Sequence, residues 1–191
     1  HELAHGLGPS GQYKVDGKTA EEVFGVSMAR LLEELKAQTT AVFLMHFLGQ
    51  DDVLPREVAV GAQLQELAWS FGHMASGMED EAGRPNIYGQ LAAIQFGYLW
   101  ERNAFVWKAG AKAANGEDQG CYGIDLRNFT LAGRTLASDV LNTKSRNDAA
   151  AGRALVKTFV DGPHVAIAHR DRIIDRWLRQ PQPVYVYSIR Q

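Results

Sequence analysis

The chain has 191 residues, of which 46% are hydrophobic and 22% charged, as is typical of a globular protein that can bury a sizeable core. Its formal net charge of −2 gives no basic excess of the kind that binds nucleic acids or anionic membrane surfaces. The single cysteine, Cys121, excludes an internal disulfide and a cysteine-based zinc cluster. We therefore expect no nucleic-acid or membrane partner, and a reducing, cytoplasmic compartment is compatible with this composition.

The chain opens on His1-Glu2-Leu3-Ala4-His5, an H-E-x-x-H pattern. Residues four apart lie on one face of a helix, so His1 and His5 can direct two imidazoles at a single point. A catalytic Zn²⁺ takes three protein ligands and leaves its fourth position to water, which Glu2 can reach as general base. Two surface histidines at the end of a helix are the alternative interpretation.

The next segments combine a loop, a short strand and a long helix. Three glycines and a proline in residues 6–11 predict that the first helix stops there. Residues 13–17 predict a short strand followed by a turn. Thr19 and Glu22 form a capping box, so a helix should begin near Ala20, and its apolar spacing continues to about Leu48.

Glu33 and Glu34 lie inside this long helix. A zinc site with two histidines needs a third ligand, and a carboxylate from a neighbouring helix would supply it. Adjacent helical residues point about 100° apart, so one of the two can face the metal while the other hydrogen-bonds a ligand histidine. A solvated pair of charges is the alternative that the residues themselves leave open.

Three segments together resemble peptidase family M49, the dipeptidyl-peptidase III family. They are His-Glu-Leu-Ala-His-Gly-Leu-Gly-Pro at 1–9, Asp-Gly-Lys at 16–18 and Leu-Glu-Glu-Leu-Lys-Ala at 32–37. The likeness is closer to the bacterial and plant branch of zinc-dependent hydrolases, some fused to Nudix domains, which have one residue fewer between the histidines than dipeptidyl-peptidase III. In the family motif E-E-x-[KR]-A the second Glu binds zinc. The resemblance thus assigns the third ligand to Glu34 and places Glu33 beside the ligands.

Pro55 suits the first turn of the next helix, which is predicted to run to about Met74. His73 lies at its end, where a histidine more often caps the helix than contacts a substrate. Residues 77–86 predict a polar loop.

The following segment resembles the family helix E-A-H-G-R-G-x-A-I-Q-F-N-Y-L through its Ala-Ile-Gln-Phe at 93–96. Counting back from that match, the family histidine that stabilises the transition state falls on Tyr88. A tyrosine can donate a hydrogen bond to an oxyanion but cannot carry a positive charge. His73 is the nearby histidine that could stand in as a substrate-binding group. Gln95 needs a polar partner in an otherwise apolar helix.

The same helix is predicted to continue through Trp107 toward Ala114, with its aromatic residues in the core. Residues 183–187 alternate like an edge strand. Three further helices are predicted at residues 125–143, 147–160 and 162–179.

These patterns predict a mainly α fold with short peripheral strands. By the resemblance, it is the helical catalytic lobe of a larger α+β two-lobed zinc metallopeptidase, with residues 1–191 forming a single α-helical domain at its C-terminal end. His1, His5 and Glu34 would bind the cofactor Zn²⁺, and Glu2 and Tyr88 would act in catalysis. The resemblance also implies short peptide substrates, cleaved into dipeptides, and a second lobe N-terminal to this chain.

The alternative is a non-catalytic or degenerate helical domain, in which the H-E-x-x-H residues bind metal weakly or not at all. Tyr88, in place of the family histidine, favours this alternative, whereas Glu33 and Glu34 in register with the family favour the enzyme. A helical scaffold with an accidental H-E-x-x-H pattern is a third interpretation.

Overall fold

The computed structural model describes residues 1–162 and 165–179 and, within the second range, the side chains from Arg170 onward. In this part of the chain, α-helices form most of the structure and two short antiparallel hairpins lie between them. The prediction of a mainly α fold with short peripheral strands is therefore confirmed. In chain order the elements are α1 Glu2–His5, β1 Lys14–Val15, β2 Lys18–Thr19, α2 Ala20–Phe24, α3 Val26–Gln50, α4 Arg56–Ala75, α5 Ile87–Glu101, β3 Phe105–Lys112, β4 Gln119–Ile124, α6 Leu126–Ser145, α7 Ala149–Val156, the π-helical turn Lys157–Asp161 and α8 Val165–Arg179.

A two-residue hairpin joins the N-terminal loop to the first long helical segment. Strands β1 and β2 pair antiparallel, and the turn residues Asp16 and Gly17 have φ of 50° and 78°. Asp-Gly favours such a turn because both central residues need positive φ. The predicted capping box is present: the Thr19 hydroxyl accepts from Glu22 N–H, and the Glu22 carboxylate accepts from Thr19 N–H at 2.6 Å. The start of α2 at Ala20 is therefore confirmed.

The helix predicted from Ala20 to Leu48 is divided at Gly25. This residue has φ of 79°, which no α-helix contains and which glycine adopts without steric cost. A second helix, α3, starts at Val26 and carries on to Gln50. The break frees α3 to take its own direction, and α3 supplies Glu33, Glu34, Lys36 and Gln38 to the site described below.

Helix α5 lies at the centre of the core. Leu91, Ile94 and Phe96 are almost completely buried, as expected for a helix that is apolar on every side. It packs against α3, α4, α6, α8 and the π-helical turn. At Gly97 the ring of Phe159 approaches so closely that a Cβ would lie 2.4 Å from it. The surrounding helices therefore fix the position of α5, which carries Tyr88 in its first turn.

The prediction that α5 continues through Trp107 toward Ala114 was wrong. The helix ends at Glu101, and β3 and β4 form an antiparallel hairpin in which Trp107 faces Tyr122. From Phe105 to Lys108 the side chains alternate between buried or half-buried and exposed, a two-residue period that suits a strand. Aromatic and β-branched residues also favour a pleated, half-buried surface.

The C-terminal helices lie close to the predicted ranges. The Asp125 carboxylate accepts from the N–H of Asn128 and caps α6, and Asp148 caps α7 in the same way. The last turn after α7 is π-helical rather than α-helical. The strand predicted at residues 183–187 lies outside the described residues. None of the described helices is both long enough and apolar enough to cross a membrane.

Replacing either of two helical glycines by alanine should change the free energy of unfolding, in opposite directions. A Cβ at Gly89 would lie 2.0 Å from the carbonyl oxygen of Gly77, so Gly89→Ala should lower the free energy of unfolding by about 1–3 kcal/mol. At Gly61, an exposed position inside α4, no described atom lies within 4 Å of the added Cβ. Gly61→Ala should therefore raise the free energy of unfolding by about 0.5–1 kcal/mol. Urea denaturation measures both, and changes of the same sign would contradict this packing.

Candidate metal centre

Helix α1 packs on α3 and brings three potential metal ligands together. His1 Nε2 lies 3.2 Å from His5 Nε2 and 3.2 Å from Glu34 Oε2, and His5 Nε2 lies 3.8 Å from the same oxygen. A tetrahedral Zn²⁺ with ligands at about 2.0–2.1 Å places neighbouring ligand atoms about 3.3 Å apart. Two imidazole nitrogens and one carboxylate oxygen also form a ligand set that Zn²⁺ uses. These three side chains, here called the ligand cluster, therefore fit a zinc ion in both chemistry and spacing.

Glu2 lies beside the ligand cluster. Its carboxylate can be grouped with the ring nitrogens of His1 and His5 within 4.8 Å, and its side chain is exposed. In contrast, Glu34 is largely buried and belongs to the cluster itself through the distances given above. The arrangement leaves Glu2 free to contact a water molecule or a substrate next to the cluster, as its position in the sequence pattern predicts.

Glu33 holds the other ring nitrogen of His5. Its Oε1 lies 2.8 Å from His5 Nδ1 and accepts from Lys36 Nζ at 3.0 Å, while its Oε2 accepts from Lys144 Nζ. Burial by itself raises the pKa of Glu33, but the hydrogen bonds from His5, Lys144 and Lys36 outweigh it and lower the pKa to about 2. Glu33 is therefore an ionised carboxylate that fixes the orientation of the His5 ring.

Two buried lysines, which were not among the predicted site residues, support the contact between Glu33 and His5. Lys36 donates to the carbonyl oxygens of His5 and Pro9 at 3.0 and 3.4 Å, and so attaches the loop after α1 to α3. Lys144 comes from α6, where burial lowers its pKa and the bond to Glu33 opposes that effect. A usable signal was available for Lys36, because it occupies the [KR] position of the motif E-E-x-[KR]-A.

His1 is held by a different group. Its Nδ1 lies 2.5 Å from Gln38 Oε1, and the Gln38 amide group donates to Glu66 Oε2. The amide group of Gln95 donates to Glu66 Oε1 at 2.9 Å. Gln38, Glu66 and Gln95 are all buried, on α3, α4 and α5. Of these three, only Gln95 was predicted from the sequence to need a polar partner. The helical spacing of Gln63, Glu66 and Ser70 was a further signal of a polar face on α4.

Tyr88 contacts the ligand cluster directly. Its hydroxyl donates to Glu34 Oε2 at 3.1 Å, and burial together with this bond raises the pKa of the phenol, so it stays protonated. The ring of His73 packs on both Tyr88 and Trp69, with centroid distances of 5.4 and 4.1 Å. Burial lowers the pKa of His73, which favours the neutral imidazole. The structure thus brings both predicted residues to one side of the cluster.

An apolar cavity of about 440 Å³ lies elsewhere, between α4, α8 and the hairpin of β3 and β4. Phe71, Trp107 and Trp177 are among the residues that line it, and no residue of the ligand cluster does. Its walls are mainly apolar, and polar side chains such as Asp118 and Arg176 also contribute to them. The chemistry that the sequence predicts is therefore located at the ligand cluster, not at this cavity.

The chain joins an H-E-x-x-H pair to a glutamate of a second helix within a mainly helical fold. The same fold is found among solved structures. The chain matches the DPP III (dipeptidyl-peptidase III) of Caldithrix abyssi with a TM-score of 0.70 at 22% identity, over 94% of this chain and 30% of that one. It matches the dipeptidyl-peptidase III of Corallococcus sp. strain EGB with a TM-score of 0.67 at 20% identity, over 92% of this chain and 29% of that one. The fold is therefore that of the helical lobe of dipeptidyl-peptidase III.

Among curated proteins, the chain is similar to Nudix hydrolase 3 of Arabidopsis thaliana, with 25% identity over 182 residues. The match covers 91% of this chain but 21% of that protein. No family model matches the chain. The chain thus spans less than a third of the length of each of these proteins.

Glu66 gives a pH-dependence prediction. Burial raises its pKa to about 7, although hydrogen bonds from Gln95 and Gln38 lower it, whereas the ordinary value is 4.5. A folded-state pKa above the unfolded value means that the native state binds more protons between these values, so stability falls as pH rises from about 4.5 to 7. The loss attributable to Glu66 is on the order of 3 kcal/mol.

Urea denaturation at several pH values, on the wild-type chain and on Glu66→Gln, tests this contribution because the variant has no ionisable group at position 66. The stability of the variant should decline less over that pH range. Parallel curves for the two proteins would show that Glu66 does not titrate there.

Proposed function

We propose that the chain is the metal-binding helical lobe of a zinc-dependent hydrolase that cleaves short peptides. The observation that carries this proposal is the ligand cluster: His1 Nε2, His5 Nε2 and Glu34 Oε2 lie within 3.8 Å of one another. A Zn²⁺ ion bound there would act as a Lewis acid toward a peptide carbonyl and lower the pKa of water. The named relatives, two peptidases and a hydrolase, support the same class of reaction.

The remaining steps belong to side chains of this lobe. Glu2 takes a proton from the attacking water and passes it to the leaving amine, which its exposure beside the cluster allows. Glu33 keeps His5 in place through the bond to Nδ1. Glu33 already makes the contact that its role requires, and the exposed Glu2 can contact a water molecule or a substrate from solvent.

Tyr88 and His73 complete the proposed site. The protonated Tyr88 hydroxyl, 3.1 Å from Glu34, can donate to that carboxylate or to an oxyanion that develops next to it. His73 lies against the Tyr88 ring, and in this proposal it contacts the substrate on that side. A neutral His73 offers one donor and one acceptor, which suits a peptide backbone.

The substrate-binding cleft would need a second lobe. The chain covers about 30% of its structural relatives, and in this proposal an N-terminal lobe of the same protein faces the cluster and completes the cleft. The names of those relatives also suggest dipeptides as the products. Peptides short enough to fit between two lobes are the expected substrate class.

A non-catalytic or degenerate helical domain is the second candidate. The observation that favours it is the Tyr88 hydroxyl, which is engaged by Glu34 and cannot supply the positive charge of a histidine. In this candidate the H-E-x-x-H residues bind metal weakly or not at all, or bind it without peptide hydrolysis.

Zinc content tests the ligand cluster. After dialysis, the wild-type chain should retain about one zinc ion per chain, and Glu34→Ala should retain almost none because two histidines are left as ligands. Glu21→Ala, a carboxylate change at an exposed position of α2, is the matched control and should keep its zinc. Equal zinc content in wild type and Glu34→Ala would refute the assignment.

Peptide hydrolysis by the full-length protein tests Glu2. Glu2→Gln should reduce the rate by at least about 100-fold, because an amide cannot take up the proton, while its zinc content stays that of wild type. Glu21→Gln is the control and should hydrolyse at the wild-type rate. A zinc-loaded wild-type protein that cleaves no peptide would favour the non-catalytic candidate instead.

A further inference from the structure

A buried row of polar groups extends from His1 into the core. It passes from His1 Nδ1 to Gln38 Oε1 at 2.5 Å, from the Gln38 amide group to Glu66 Oε2, and from Glu66 Oε1 to the Gln95 amide group at 2.9 Å. Gln38, Glu66 and Gln95 are exposed by 8%, 7% and 3%. Bulk water therefore cannot substitute freely for these partners, and each bond has to be satisfied within the row.

The direction of every bond in the row follows from Glu66. An ionised carboxylate only accepts hydrogen bonds, so both neighbouring amides must present their NH₂ groups to it. Gln95 shows the strength of this requirement: its Oε1 is buried and has no hydrogen-bond partner among the described residues. With its NH₂ group committed to Glu66, Gln38 can present only its carbonyl oxygen to His1.

A carbonyl oxygen at His1 decides which ring nitrogen carries the proton. The oxygen accepts, so Nδ1 must donate, and in the neutral ring Nε2 is then left with its lone pair. Nε2 is the atom of the ligand cluster that lies 3.2 Å from both Glu34 Oε2 and His5 Nε2. The Glu34 carboxylate could also accept a proton from Nε2, but the 2.5 Å contact between Nδ1 and Gln38 is shorter than this 3.2 Å contact, so the geometry favours the proton on Nδ1. An amide turned the other way would place the proton on Nε2 and prevent it from binding a metal.

We propose that Glu66 is a positioning residue for the metal centre: acting through Gln38, it sets the tautomer of His1 that can bind the metal. This inference rests on the proposed zinc site for its biological meaning, but the tautomer itself is a property of the chain. The Glu33 carboxylate holds the proton on Nδ1 of His5 directly, whereas the Glu66 carboxylate acts on Nδ1 of His1 through Gln38. Partners of this kind typically change metal affinity by about 10–100-fold.

Glu66→Gln removes the fixed direction with almost no change in shape. The amide that replaces the carboxylate can donate to Gln38 or accept from it, because Gln95 can take up either complementary orientation. The His1 ring should then become a mixture of tautomers. In the double variant Gln38→Glu/Glu66→Gln the carboxylate lies directly against His1 Nδ1 and the amide behind it, so the row regains a single direction with the same atoms. Gln63→Leu, which removes another buried amide of α4, is the control.

Two measurements test this inference on chains with a Gly-Ser extension before His1, which keeps a free amino group away from the ligands. The first is ¹⁵N NMR of the histidine rings without metal at about pH 8.5, above the pKa of Glu66. Wild type, the double variant and Gln63→Leu should show the Nδ1–H tautomer at His1, and Glu66→Gln a mixture. The second is the zinc dissociation constant by chelator competition, which should weaken about tenfold in Glu66→Gln and recover in the double variant.

An Nδ1–H tautomer that persists in Glu66→Gln would overturn the inference, even if wild type binds zinc. If the tautomers change as expected but the wild-type chain binds no zinc, the inference about Glu66 stands and the proposed function fails. A general loss of packing would alter Gln63→Leu and Glu66→Gln alike, and that result would also count against a positioning role.

Discussion

The geometry of the ligand cluster depends on how α1 is attached to α3. A helix of four residues has no stability of its own, so its position is set by tertiary contacts. The charged group of Glu33, Lys36 and Lys144 supplies these contacts: it binds a side chain and two carbonyl groups of the N-terminal segment. Both lysines are buried and the side chain of Glu33 is 26% exposed, so the group links α1, α3 and α6 at the edge of the core.

The two histidines are held by chemically different supports. His5 meets a carboxylate whose charge is balanced by two lysines, and the pKa of that carboxylate is low. His1 meets a neutral amide, and the carboxylate behind it has amides as its hydrogen-bond partners and a raised pKa. Burying an ionised group between amides destabilises the fold at neutral pH. A core selected for stability alone would not place a carboxylate there, which suggests that Glu66 serves the site.

Sequence reasoning succeeded where the signal was local. The capping box at Thr19 and the four-residue spacing of the histidines are set by helix geometry, and both are present in the structure. The assignment of Glu34 rather than Glu33 as a metal ligand came from the family resemblance and stays a prediction. Sequence reasoning failed where local patterns are ambiguous: the aromatic run around Trp107 suits a helix or a strand, and tertiary packing made it a hairpin. It could not find the row behind His1, because Gln38 and Glu66 are 28 residues apart and pair only once α3 and α4 have packed.

The partial exposure of the ligand cluster has a consequence for how a bound ion would be exchanged. The side chains of His1 and His5 are exposed by 25% and 27%, whereas Gln38, which contacts the His1 ring, and Lys36, which contacts the main chain of His5, are buried. A chelator could therefore reach an ion at the cluster from solvent without any helix moving away. Removal of the ion would therefore leave the chain folded, whereas small zinc domains unfold when the metal is removed. The identity of the ion would then follow the supply of divalent metals around the protein.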